Sequence, residues 1–225
     1  MVLLLDAYHL GDPLFLTGLA RDLAARPPGR GGAVLVHGSG ERGERALESL
    51  GVFPEAAGGV WRTETAEQAE AVERATRALG REVAHELNEA GVASVRAVGA
   101  DRGLLKRSGD GVGAGRTAWL QTLVGQGIVA VVASLVGAPG GGPLAEADPA
   151  AAAAALAGAL GGPVTVLLKR RPAGADGPLD ASAPPVRAAL GDPAAADRLL
   201  GHGAAVEAVA RGALRDAGAG VRLRA

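Results

Sequence analysis

Ala33-Val34-Leu35-Val36-His37-Gly38-Ser39-Gly40 is the stretch from which the fold is read: an apolar run, a glycine-rich turn, then a charged, helix-prone segment from Glu41 to Leu50. A short apolar run bounded by turn signals predicts a buried strand. Glycines at the turn let backbone N–H groups approach an anion with no Cβ in the way. The following helix directs its partial positive end to the same spot. The segment therefore predicts a strand, a phosphate cradle and a helix. Lysine, the usual point charge beside phosphoryl groups, occurs only as Lys106 and Lys169.

Outward from this turn, the pattern alternates. Val2-Leu3-Leu4-Leu5 predicts a first buried strand, and Leu14 to Ala25 carries apolar residues near a 3.6 period, stopped by Arg26-Pro27-Pro28-Gly29. Thr65 and Gln68 form a capping-box signature opening a long helix that runs to Gly91. A strand at Ala93 to Val98, a hairpin around Ser108-Gly109-Asp110-Gly111, a helix from Thr117 to Gln126 and a strand at Ile128 to Val132 follow. Asp148 opens an alanine-rich helix to Leu160. Val164 to Leu168 is another strand, a Pro/Gly-rich stretch spans Arg170 to Pro185, and closing helices precede Val221-Arg222-Leu223. Such alternation predicts an α/β fold, a three-layer α/β/α sandwich around a mostly parallel sheet. The chain reads as one domain over 1–225, with lobes divided at 140/141 if it divides, and the Gly137 to Pro143 loop as the hinge.

Composition narrows the function. The 225 residues are 48% hydrophobic with a formal net charge of −1, enough for a substantial core. A near-neutral chain with five aromatic residues lacks the basic field and stacking platforms of a nucleic-acid binder. No segment approaches the roughly 20 apolar residues of a membrane span, and the first apolar run meets Asp6 after four residues with no basic region before it. With no cysteine, disulfides and thiolate metal ligands are excluded. A cytoplasmic protein is expected.

The segment Gly38-Ser39-Gly40-Glu41-Arg42-Gly43 matches G-x-G-x-x-G, the dinucleotide fingerprint, but Val52 to Gly59 reads as a loop where a second strand with an acidic end is needed. A plain structural turn competes with both readings. Asp148 followed by Pro149 is also an ordinary N-cap, worth about 1 kcal/mol without any chemistry. The four histidines show no metal-ligand spacing.

Taken together, His37-Gly38-Ser39-Gly40, the loop Gly58-Gly59-Val60-Trp61-Arg62-Thr63, the long helix after it and Asp148 heading an Ala-rich helix resemble the amino-acid kinase family, nearest to acetylglutamate kinase and its aminoadipate-pathway relatives. The resemblance implies a phosphotransferase of amino-acid biosynthesis that uses ATP with magnesium to phosphorylate an N-acylated amino-acid carboxylate, working as a homodimer. It implies phosphate binding at Gly38, Ser39 and Gly40, an organising catalytic role for Asp148, a substrate contact from Arg62 and nucleotide contacts from Lys169 and Arg170. Arg62 is one place off the usual spacing, and Trp61 holds the matching position. Both catalytic lysines of the family are absent. The first strand ends Leu5-Asp6-Ala7-Tyr8, and Gly201-His202-Gly203 stands where the second lysine is expected. Phosphoryl transfer depends on positioned charge, so an enzyme here would be attenuated. The alternative is a catalytically inactive pseudokinase that binds a nucleotide or an amino-acid derivative, and a dinucleotide-binding protein is the third reading.

Overall fold

The computed structural model describes residues 1–12, 14–27, 31–109, 111–138, 142–172, 177–210, 212–215 and 220–225. In chain order the first half comprises β1 (Val2–Leu5), α1 (Ala7–Leu10), α2 (Phe15–Ala24), β2 (Val34–His37), α3 (Glu41–Glu48), β3 (Ala56–Ala57), β4 (Val60–Trp61), α4 (Ala66–Glu89) and β5 (Ser94–Val98). Next come β6 (Leu105–Ser108), β7 (Gly111–Ala114), α5 (Ala118–Gly125), β8 (Val129–Ala133), β9 (Leu135–Val136), β10 (Ala145–Glu146) and α6 (Pro149–Leu160). The chain closes with β11 (Val164–Leu168), β12 (Leu179–Asp180), α7 (Pro184–Ala189), α8 (Pro193–Gly201), β13 (Val206–Ala210) and β14 (Val221–Arg224).

One eight-stranded sheet runs in the order β12-β14-β13-β11-β1-β2-β8-β5. From β13 to β5 every neighbouring pair is parallel, while β14 runs antiparallel to β13. Strand pleating separates the two faces. Val2, Leu4, Val34 and Val36 pack into one core with Leu156 of α6 and Leu199 of α8. Leu3, Leu5 and Leu35 pack into the other with Phe15 and Leu19 of α2 and Leu79 and Val83 of α4. The central strands are buried on both faces, which is why they read as continuous apolar runs. This is the expected three-layer sandwich.

Local chemistry explains the element ends. The Thr65 hydroxyl accepts from Gln68 N at 3.2 Å, and the Gln68 side chain reaches back to Thr65 N, completing the capping box that starts α4. Asp148 accepts from Ala150 N at 3.1 Å with Pro149 at the first helical position, and Gly161 ends α6 in the left-handed region.

The structure adds elements that the sequence pattern does not announce, among them α1, the β9–β10 pair and β12, and two departures bear directly on the sheet and the cleft. Val52 to Gly59 is not all loop, because Ala56–Ala57 and Val60–Trp61 pair as a short antiparallel hairpin turned by Gly58 and Gly59, both at positive φ. Two-residue strands carry too little periodicity to register in a sequence. The closing region, where helices alone are expected before Val221, also holds the central strand β13. Asp110 of the expected hairpin, residues 28 and 29 of the helix stop, residues 173–176 of the Pro/Gly-rich stretch, and residues 139–141, at the expected hinge and lobe division, lie outside the described residues.

Leu156 is fully buried against the sheet. Leu156→Ala is expected to lower unfolding free energy by about 2–5 kcal/mol in a denaturant titration, with the slope unchanged. Leu14→Ala, at a side chain 71% exposed, is expected to stay within about 0.5 kcal/mol.

Candidate functional site

Parallel strands deliver their carboxyl ends to one edge of the sheet, and the loops there form the cleft in which open α/β folds bind ligands. At the ends of β1 and β2 lies a cavity of about 360 Å³. The glycine turn forms one wall, α3 with Glu41 and Glu44 a second, Asp192 and Arg198 of the α8 region a third, and the β3–β4 hairpin with Trp61 covers it.

Gly38, Ser39 and Gly40 all line this cavity. Gly40 sits at φ +54°, in a conformation that favours glycine, and its carbonyl accepts from the Trp61 indole Nε1 at 2.9 Å. The turn is not open, however. The Glu146 carboxylate accepts hydrogen bonds from Ser39 N and, at 3.0 Å, from Ser39 Oγ, and the Trp61 backbone N–H also reaches it. Removal from water pushes the Glu146 carboxyl up to about 7, against the pull of those donors and with a smaller push from Asp148. Tyr8 and His9, the residues best placed in sequence to block the cavity, do not line it. Tyr8 lies out at the surface, and His9 is buried with Nδ1 at 2.9 Å from the Asp6 carboxylate.

Asp148 caps α6 and binds Arg198 through Nε, at 3.2 Å to Oδ1 and 3.1 Å to Oδ2. His202 Nε2 stands 4.0 Å from the same carboxylate. Arg198 lines the cavity and lies on α8, three residues before Gly201. The family's lysine is absent at Gly201-His202-Gly203, and a guanidinium from one helical turn earlier pairs with Asp148. An arginine in that preceding turn is the signal the sequence carries for it. The tip of the hairpin seats on this pair, since a Cβ at Gly59 would fall 2.6 Å from both Arg198 Nη2 and Asp148 Oδ1.

Arg62, Lys169 and Arg170 are not brought to the cavity. Arg62 points into solvent between Glu55 and Glu64, 3.8 Å from each, while Trp61 faces the cavity in its stead. In a hairpin neighbouring side chains take opposite faces, so a one-residue offset exchanges arginine for tryptophan. Lys169 and Arg170 are exposed beyond β11, with Lys169 Nζ 4.3 Å from the Tyr8 ring centroid.

Among the described residues, five carboxylates, those of Asp6, Glu41, Glu44, Glu146 and Asp192, line the cavity with the single guanidinium of Arg198. Glu146 is invisible to sequence reasoning because its partner Ser39 lies 107 residues away. Just behind the turn, His37 is fully buried. Its Nδ1 donates to the Gly38 carbonyl at 2.9 Å, and burial pushes the imidazole down to about 4. Among the described residues no group of three or more potential ligands gathers to hold a metal ion, and no helix is long and apolar enough to cross a membrane.

No protein-family model matches the sequence, and neither does any curated protein. Solved structures do match. An N-acetylglutamate synthase from Neisseria gonorrhoeae, complexed with coenzyme A and N-acetyl-glutamate, is 20% identical with a TM-score of 0.66, over 100% of this chain and 59% of that one. An isopentenyl phosphate kinase is 12% identical with a TM-score of 0.66, over 99% and 98%. An aspartate kinase from Synechocystis is 15% identical with a TM-score of 0.69, over 100% and 40%. The chain has the amino-acid kinase-like fold. It spans only part of the length of the synthase and of the aspartate kinase.

Two outcomes follow from this geometry. Arg198→Ala leaves Asp148 with an unpaired, largely buried charge and is expected to cost about 1–3 kcal/mol in chemical denaturation. Arg45→Ala, at an exposed pair, is expected to cost less than about 0.5 kcal/mol. A carboxyl held at about 7 when folded, against 4.5 ordinarily, keeps a proton that the unfolded chain releases. Its ionisation therefore costs the folded state stability as pH rises from about 4.5 to 7. Glu146→Gln lacks that loss, so its stability relative to wild type is expected to rise across this window by about 3 kcal/mol, read from denaturation midpoints at several pH values.

Proposed function

We propose that this protein is a non-catalytic binding protein on an amino-acid kinase-like fold, taking a small amino-acid derivative that carries a free ammonium group. The observation that carries the reading is the acidity of the cavity: five carboxyl groups line it with one guanidinium that Asp148 already engages, and the excess stays acidic although His9 holds Asp6, Arg45 pairs with Glu41 and Glu146 is pushed up to about 7. A phosphoryl or carboxylate group entering there meets like charge, whereas an ammonium meets complementary charge beside the Trp61 indole. ATP with magnesium does not fit the residues present. Both donors of Ser39 in the glycine turn are taken by Glu146, the basic residues expected for a nucleotide stand outside the cavity, and lysine is absent from its lining among the described residues.

The pairing of Arg198 with Asp148 favours a second reading. In it the guanidinium takes over the role of a missing lysine, and the protein is an acetylglutamate kinase-like enzyme of reduced rate, phosphorylating an N-acylated amino acid. Arginine is a rigid fork rather than a compact point charge, and here both oxygens of Asp148 hold its Nε.

Incubation with Mg-ATP and N-acetylglutamate or N-acetylaminoadipate, followed for ADP release, is expected to give no substrate-dependent turnover. Thermal melts with free amino acids and their amides are expected to show stabilisation, reaching about 2.7 kcal/mol at a hundredfold excess over Kd. ATP, N-acetylated amino acids and NAD are expected to leave the melt unchanged. Substrate-dependent ADP release that Arg198→Ala abolishes would overturn the binding reading in favour of the enzyme.

A further inference from the structure

Three donors converge on one carboxylate in the glycine turn: Ser39 N–H, Ser39 Oγ–H and the Trp61 backbone N–H all reach Glu146. Two of them belong to the glycine turn, where a bound anion is ordinarily received, and the third to the hairpin that covers it. Here the anion is part of the chain, arriving on β10. The fit is close, because a Cβ on Gly38 would fall 2.6 Å from Glu146 Oε1 and 2.7 Å from Pro149 Cγ. The missing side chain of Gly38 is the space in which the carboxylate sits.

We propose that Glu146 is the specificity-determining residue of the cavity, a resident ligand of the glycine turn that keeps phosphate and carboxylate groups out of the place they would take. An incoming anion would have to share three donors with a fixed negative charge, or expel a side chain already satisfied by them. A ligand bearing hydrogen-bond donors meets no such conflict, because the second lone pairs of the carboxylate can accept from it. This inference rests on the cavity being a binding site and does not depend on whether the protein turns over ATP.

Protonation removes Glu146's share of the exclusion without moving an atom of the backbone. The charged groups around Glu146 come from every neighbouring element: Asp6 after β1, Glu41 and Glu44 on α3, Asp148 before α6, and Asp192 and Arg198 at α8. All but one are acidic, and burial first, with Asp148 after it, favours the protonated form of Glu146 near neutrality. His37, two residues from Ser39, stays neutral there. Phosphate is therefore opposed less at the glycine turn on the acid side of neutrality than on the basic side.

Calorimetric titration of inorganic phosphate into wild type, Glu146→Ala and Glu146→Gln is the test. At about pH 8.5 Glu146→Ala is expected to bind phosphate at least about tenfold more tightly than wild type. Glu146→Gln, which keeps an acceptor in the turn but no charge, is expected between the two. Wild type is expected to gain phosphate affinity on going to about pH 5.5, and Glu146→Ala is not. Equal affinities of all three proteins at the basic pH, with Glu146→Ala folding cooperatively, would overturn the proposal. If Glu146→Ala does not fold, Glu146→Gln decides the matter, and its failure to exceed wild type would overturn the proposal alone. ADP release by wild type would sink the binding reading while a phosphate gain in these variants upheld this one.

Discussion

Asp148 ties together three parts of the chain that are distant in sequence. Its carboxylate caps α6, whose buried alanines lie against the sheet, and holds Arg198 from α8 in two contacts. The hairpin tip at Gly59 then rests on that pair with no room for a side chain. Floor, side wall and cover of the cavity therefore share one ionic contact. An aspartate that reads as an ordinary helix cap thus acquires a second role through tertiary structure, at a pair whose partial burial keeps it from the screening that empties exposed pairs of value.

The architecture is legible in the sequence where local chemistry suffices. Continuous apolar runs at residues 2–5, 34–36, 129–132 and 164–168 are strands because the parallel sheet buries both their faces, and the Thr65 and Gln68 signature opens a helix as its hydrogen bonds require. The glycine turn is legible as a turn for the same reason. What fills it is not, since Glu146 approaches Ser39 across 107 residues and no local pattern marks the encounter. Arg198 escapes notice for a related cause: it stands a turn before the position where lysine is expected, and its contact with Asp148 spans 50 residues, so no local pattern marks it. Arg62 fails in the opposite sense. It lies in the expected segment, but hairpin alternation turns it out to solvent and Trp61 inward.

Phosphoryl transfer works with cations gathered around the transferring group, and the present cavity reverses that sign while keeping a kinase-like frame. The reversal needs few residues, because the sheet fixes where the loops meet and only their side chains set the field. A fold of this kind conserves position and leaves charge free to vary. The solved structures share the fold at identities of 12–20%, with TM-scores of 0.66 to 0.69.

His37 and Glu146 flank the same turn and are displaced in opposite directions, the imidazole down to about 4 and the carboxyl up to about 7. In an unfolded chain near pH 5.5 the histidine carries a proton and the glutamate does not. In the folded chain the assignment is exchanged. Folding thus moves a proton, in net effect, from side chain 37 to side chain 146, and the two linkages have opposite slopes over the interval between the ordinary carboxylate and imidazole values. A turn with two costly burials is in this way nearly indifferent to mild acid. The desolvation of each group is a stability cost, but between about pH 4.5 and 6.5 the proton lost by one side chain on folding is nearly matched by the proton gained by the other.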